Sequence, residues 1–111
     1  YLVAVEGPAL LGYAYAAPYR PRSAYRFTVE DSIYVAPENQ RAGIGASLLN
    51  RLAERCTAAG MRQLVAVIGD SGNRASIRVH EKCGFRQAGV LRDVGFKQNR
   101  WLDTVIMQRT L

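Results

Sequence analysis

The stretch Glu38–Cys56, ENQRAGIGASLLNRLAERC, constrains this chain more than any other part of it. A polar turn passes through two glycines one residue apart, Gly43 and Gly45. It then enters a run in which Ile44, Leu48, Leu49, Leu52 and Cys56 recur at helical spacing. That spacing predicts a helix from about Ala42 to Ala59, ended by Gly60. Just upstream, Phe27, Val29, Ile33 and Val35 alternate, which predicts a strand over Tyr25–Val35. Pro37 ends it, because proline cannot donate to a ladder. A chain that leaves a strand, turns on glycines and enters a helix presents unpaired backbone N–H groups at the positive end of the helix dipole. Glycines in the turn remove side chains, so an anion can reach those amides.

The remainder alternates strands and helices. Tyr1–Val5 and Leu10–Ala16 read as a hairpin around the turn Glu6-Gly7-Pro8, and Ala17–Ser23, with Pro18, Arg20, Pro21 and Arg22, reads as a loop. Leu64–Ile68 (LVAVI) is a continuous apolar run suited to a strand buried on both faces. After the loop Gly69–Gly72, Asn73–Cys83 reads as a second helix closed by Gly84. Arg86–Asp93 and Thr104–Gln108 read as strands, with a loop holding Gly95, Lys97, Asn99 and Trp101 between them. The order implies one α/β domain with a mixed sheet, and its 111 residues suit a single domain.

The chain carries a net charge of +6, and 13 of its 15 basic residues are arginine. They are dispersed, and Arg20 with Arg22 is the most local pair. A nucleic-acid-binding surface calls for clustered Lys and Arg with exposed aromatics. Guanidinium groups also bind small carboxylates and phosphates in two-point fashion. No apolar run nears the roughly 20 residues that cross a bilayer. Cys56 and Cys83 are far apart and His80 is the sole histidine, so a metal site or disulfide framework is not expected and a reducing cytoplasm fits best. No leader is expected from YLVAVEGPALLGYAYAAPYR, which reads as a hairpin. The chain opens at Tyr1 within a strand-like pattern, so N-terminal residues are expected to be missing.

Three readings of the glycine turn compete. A P-loop needs Lys-Ser or Lys-Thr after its last glycine, and a dinucleotide fingerprint needs a third glycine where Leu48 stands. A simpler diphosphate cradle on the first helical turn needs neither, and a close-packed structural turn is the remaining possibility. Gln40-Arg41-Ala42-Gly43-Ile44-Gly45 matches the pyrophosphate motif of GNAT-type acetyltransferases: Gln or Arg, two residues, Gly, one residue, then Gly or Ala. Asn73-Arg74-Ala75-Ser76-Ile77-Arg78-Val79-His80-Glu81-Lys82-Cys83-Gly84-Phe85 resembles the second signature of that superfamily. Tyr19–Tyr25, Thr28–Val35, His80-Glu81-Lys82, Gly95-Phe96-Lys97 and Arg100-Trp101-Leu102-Asp103 look like the phosphinothricin and methionine sulfone/sulfoximine acetyltransferase family. The resemblance covers essentially the whole chain. That family normally begins with one more strand and one or two helices.

The resemblance implies a GNAT fold: a mixed, mostly antiparallel sheet with flanking helices, here without its N-terminal strand and helices. It implies acetyl-CoA as co-substrate. The pantetheine arm would pair with the backbone of Ile33, Tyr34 and Val35, and the diphosphate would lie on the amides of Arg41, Ala42, Gly43, Ile44, Gly45 and Ala46, with Gln40 at the rim. Asn73 and Ser76 would contact the same cofactor from the second helix. The reaction would be direct acyl transfer to the α-amine of a small amino-acid-like molecule, which needs a base because such an amine is protonated at neutral pH. Adjacent strand residues point to opposite faces, so only one of Glu30 and Asp31 can face the acceptor. Glu30 is favoured as base, with Asp31 or a water as alternatives. His80 stands where many superfamily members have a tyrosine that protonates the leaving thiolate; it can donate a proton there or be a packed core residue. Arg20 and Arg22 suit the acceptor carboxylate, with Glu30 or Asp31 at its amine end. A homodimer is implied. The competing functions are a GNAT acting on a protein or peptide amine and a non-enzymatic basic module that binds nucleic acid.

Overall fold

A computed structural model of the chain describes residues 2–6, 9–36 and 43–111. Eight regular elements follow in order: β1 (Leu2–Glu6), β2 (Ala9–Pro18), β3 (Thr28–Val35), α1 (Ile44–Ala58), β4 (Gln63–Ile68), α2 (Arg74–Lys82), β5 (Arg86–Lys97) and β6 (Arg100–Thr110). The strands form one six-stranded sheet in the order β1-β2-β3-β4-β6-β5. Every neighbouring pair is antiparallel except β3 with β4.

The parallel pair is the short one. Thr28, Val29 and Glu30 lie beside Gln63, Leu64 and Val65, and no pairing continues beyond them. Both strands run on regardless. β3 stays paired with β2 through Val35, and β4 stays paired with β6 through Ile68. The two central strands therefore part from each other while each remains fixed on its far side. A parallel pair needs a long crossover to join it, and α1 is that crossover.

The apolar stripe of α1 makes the core. Leu48, Leu49, Leu52, Ala53 and Cys56 are buried against Ala14 of β2, Leu64, Ala66 and Ile68 of β4, and Val105 and Met107 of β6. Cys83 and Phe85, which follow α2, join the same cluster. Alternation along β3 sets Val29, Asp31, Ile33 and Val35 on this helix-covered side and Glu30, Ser32 and Tyr34 on the other. On that other side the rings of Tyr34 and Tyr13 stack at 5.3 Å, and Tyr13 stacks on Tyr15 at 6.4 Å.

Three expectations require correction. The run LVAVI, expected to be buried on both faces, leaves Val67 43% exposed. The strand expected from Tyr25 begins only at Thr28, because Ser23–Tyr25 coil into a turn of 3-10 helix, with Arg26 N–H bonded to the Ser23 carbonyl at 3.2 Å. The loop expected between Asp93 and Thr104 is a hairpin. β5 and β6 extend towards each other and are joined by Gln98 and Asn99 alone, whose φ angles are +51° and +60°. Two consecutive left-handed residues make the turn that matches strand twist, although neither is a glycine. A register shift between Leu91 and Gly95 hides the alternation, since Asp93 also turns left-handed (φ +53°) and gives its N–H to Asp103 Oδ1 at 3.0 Å. The Arg92 guanidinium closes on Asp103 Oδ2 at 3.0 Å. These two donors hold the half-buried Asp103 carboxyl below its ordinary range, the Asp93 N–H foremost.

β2 lies tight against β3 because Gly12 has no side chain. A methyl group there would meet the Tyr34 carbonyl oxygen at 2.5 Å and Val35 Cα at 3.2 Å. Backbone cannot retreat as a side chain can, so Gly12→Ala is expected to lower the unfolding free energy by about 1–3 kcal/mol in urea titration. α2 starts on Asn73, whose Oδ1 accepts the Ser76 N–H at 3.2 Å. Asn73→Ala is expected to cost about 1 kcal/mol in the same measurement, and Asn73→Asp to keep most of it.

Candidate functional site

Three parts of the sequence meet where β3 and β4 separate. The C-terminal half of β3 (Ile33, Tyr34, Val35), the first turn of α1 (Gly45) and the start of α2 (Asn73, Ala75, Ser76, Val79) line one groove. It continues into the opening itself, walled by Glu30–Ile33 on one side, Ala66–Gly69 on the other, and Asn73, Ser76 and His80 from α2.

The direction of the backbone groups in this opening follows from the ladder. Ala36 N–H bonds to the Leu11 carbonyl at 2.8 Å, and Tyr19 N–H to the Thr28 carbonyl at 3.3 Å. In an antiparallel pair bonded positions alternate. Even-numbered β3 residues therefore address β2, while Val29, Asp31, Ile33 and Val35 turn their N–H and C=O the other way. Val29 uses its groups on β4. Ile33 and Val35 present theirs to the opening, and Tyr34, expected with them, instead pairs its backbone with Tyr13 and contributes a side-chain wall.

At the end of the groove Gly43 begins α1 in the left-handed conformation, φ +76°, which residues with a Cβ adopt at a cost. Gly45 is buried, and a Cβ there would touch Val35 and Val79 at 3.5 Å. The glycine pair thus serves packing as well as access. The N–H groups of Ile44, Gly45 and Ala46 belong to the first turn, where no intrahelical acceptor exists. Gln40, Arg41 and Ala42 lie outside the described residues.

Glu30 and Asp31 separate as adjacent strand residues must. Glu30, half-buried, points to the side away from the helices. Asp31, expected at the acceptor amine, is turned inward and is 7% exposed. Both its oxygens face His80 Nε2, at 3.2 and 3.1 Å. His80 is 1% exposed and its Nδ1 donates to the Ser76 carbonyl at 2.7 Å. The Phe85 ring stands edge-on to the imidazole, centroids 4.8 Å apart. Burial by itself would push the imidazole down, but the Asp31 carboxylate and the Ser76 carbonyl outweigh it and hold His80 above 6.5. The signal for this pair was present in the sequence: Asp31 shares the parity of Val29, Ile33 and Val35, and an inward carboxylate requires a partner.

Arg20 and Arg22 are not brought to Glu30. With Tyr19, Pro21 and Tyr25 they line a separate hollow. Arg20 lies over the Tyr19 ring at 4.4 Å and bonds to the Tyr19 carbonyl. The link to Glu30 is through the strand: Ala17, three residues before Arg20, is the register partner of Glu30. Lys97 and Arg100, at the tip of the β5–β6 hairpin, share a further hollow with Asn73 and Asp70. Burial pushes both the Cys56 and the Cys83 thiol up, which keeps them protonated and unreactive.

A splayed parallel pair with a glycine turn at its mouth has clear counterparts. The family model described as "Acetyltransferase (GNAT) family" matches residues 1–85. The chain is 60% identical over 111 residues to a phosphinothricin N-acetyltransferase of Alcaligenes faecalis. It is 44% identical over 102 residues to an L-methionine sulfoximine/L-methionine sulfone acetyltransferase of Pseudomonas aeruginosa. It spans 56% and 59% of those relatives, and covers 100% and 92% of itself in doing so. A crystal structure of a GNAT superfamily phosphinothricin acetyltransferase from Sinorhizobium meliloti, in complex with AcCoA, superposes with a TM-score of 0.90 at 52% identity, over 96% of this chain and 57% of that one. With the fold, the glycine turn and the family model in agreement, the chain belongs to the GNAT acetyltransferase family.

Proposed function

We propose that the protein transfers the acetyl group of acetyl-CoA to the α-amine of a small amino-acid-like acceptor, of the methionine sulfoximine, methionine sulfone or phosphinothricin type, by direct attack. The observation that carries this reading is the end of β3–β4 pairing after Glu30, which leaves the Ile33 and Val35 backbone facing an opening continuous with the N-terminal turn of α1. An extended amide-bearing arm can add to such an edge as a strand does. A diphosphate then falls at the α1 end, on the first-turn amides Gly43 to Ala46, with Gln40, Arg41 and Ala42 before them. Asn73 and Ser76 border the same groove. The names of the relatives support the acceptor class.

The chemistry assigns one role to Glu30. It sits at the fork, on the face away from the helices, where an acceptor can approach without crossing the cofactor. It takes a proton from the ammonium group, directly or through a water, and the freed amine attacks the thioester carbon. The tetrahedral intermediate collapses with cleavage of the C–S bond. The second amine proton goes to the departing thiolate. The Val35 N–H, directed into the opening, is the donor for the developing oxyanion. Arg20 and Arg22 suit the acceptor carboxylate by their chemistry, from the separate hollow that they line with Tyr19 and Tyr25.

The protein is further proposed to act in the cytoplasm, where its free Cys56 and Cys83 thiols remain reduced. Among the described residues no helix is long and apolar enough to cross a membrane. A homodimer is supported by the exposed Leu91, Val94, Phe96 and Trp101 along the β5–β6 hairpin.

The test is thiol release from acetyl-CoA by the full-length protein with each of the three acceptors. Turnover is expected with at least one, falling roughly 100- to 10,000-fold in Glu30→Gln. Turnover that survives this substitution removes Glu30 as base. Turnover confined to peptide α-amines overturns the acceptor class.

A further inference from the structure

The position of His80 invites an acid–base role, yet its bonding leaves no atom for one. The Ser76 carbonyl can only accept, so Nδ1 carries a proton. Nε2 lies about equally far from the two Asp31 oxygens, 3.2 and 3.1 Å. A bare lone pair there would face a carboxylate. One further proton therefore sits between the two side chains, and both ring nitrogens are engaged. Their side chains are 2% and 3% exposed. No lone pair remains to act as a base, and no N–H is directed at a bound thioester.

The location of the pair gives it a different task. Asp31 is the first β3 residue beyond the parallel pairing. His80 lies on α2, one turn after Ser76, whose carbonyl it holds and whose N–H Asn73 caps. We propose that Asp31 and His80 form a fixed carboxylate–imidazolium strut that joins β3 to α2 where the strands begin to part, and that Asp31 is a positioning residue which, through His80, sets the width of the groove between Val35 and the start of α2.

The surroundings permit a single charge pair. Glu30 points to the opposite face of β3. β4 presents Leu64, Ala66 and Ile68, all apolar. The Cys56 thiol of α1 and the Cys83 thiol after α2 are buried and neutral. Arg109 of β6 gives its Nη1 to the Cys83 carbonyl at 2.8 Å and to Asn50 at 3.2 Å. Glu81 and Lys82 of α2 are exposed.

The first measurement is nitrogen-15 NMR of the full-length protein labelled at histidine, with the His80 ring identified by its loss in His80→Gln. It needs no catalysis, so it stands apart from the acetyl-transfer reading on which the kinetic measurement below rests. Both His80 nitrogens are expected to be protonated at pH 6, with a titration midpoint above that of an ordinary imidazole which falls in Asp31→Asn, where the carboxylate that raises it is gone. A singly protonated ring in the wild type, or a midpoint that Asp31→Asn leaves in place, overturns the strut. While Asp31 is ionised, the stabilisation it provides is complete below 6.5 and disappears as pH rises through the raised His80 midpoint. The wild type is thus expected to lose stability over that window and Asp31→Asn to show a flatter profile.

The second measurement separates positioning from proton transfer. Asp31→Ala is expected to raise the acetyl-CoA KM about tenfold while kcat changes much less. Asp31→Asn, whose amide can donate to a neutral Nε2, is expected to raise it less than Asp31→Ala does. A fall in kcat at constant KM in both variants makes His80 an acid–base group and overturns the proposal.

Discussion

β3 and β4 lie side by side for three residues and then separate, and the site depends on the fact that neither is free to follow the other. β2 holds β3 along its whole length and β6 holds β4. Restoring the lost pairing would mean breaking an antiparallel ladder on one side or the other. Unpaired backbone groups are costly when buried. The opening is tolerated because it reaches the surface, where solvent or a ligand can bond to Ile33 and Val35. The fold thus maintains an unfilled strand position in the middle of a sheet, at a place where most proteins would have a continuous ladder.

The two helices that border this position are secured in different ways. α1 is fixed by its apolar stripe, with Leu49 wholly buried, and its first turn approaches β3 closely because Gly45 carries no side chain. α2 has only nine residues, and His80 is its single fully buried side chain. A short helix with little apolar area gains less from packing. The polar attachments at its two ends, Asn73 at the start and the Asp31–His80 contact near the finish, therefore carry a larger share of its placement. Arg109 adds a third, beneath the last turn.

Much of this was legible in the residues. The stripe from Ile44 to Cys56 gave α1 nearly to the residue because its burial repeats at the helical period, and the run LVAVI gave β4 because a short, β-branched apolar run suits a strand. The glycine turn and the Asn73 segment were recognisable by their resemblance to the GNAT signatures rather than by any period, and Gly45, Asn73 and Ser76 border the groove. Asp31 was legible and misread: it occupies the inward parity between Val29 and Ile33, so its partner had to come from a helix, and a lone histidine on α2 was available. The β5–β6 hairpin was hidden for two physical reasons. Its turn is made by Gln98 and Asn99, without the glycine that announces left-handed backbone, and the Asp93 bulge breaks the alternation of β5. The placement of Arg20 depends on stacking against Tyr19, which no periodicity encodes.

The ladder parity along β3 also acts as a ruler. Ile33 and Val35 offer donors and acceptors to the opening while Tyr34 offers none, so bonding positions recur every second residue, about 6.7 Å apart. A guest must carry amide-like groups at that interval to bond at both places. A donor with the same thioester but no amides would be held by contact alone and would lack register along the strand. The spacing of backbone groups would in this way select the carrier of an acyl group independently of the group carried.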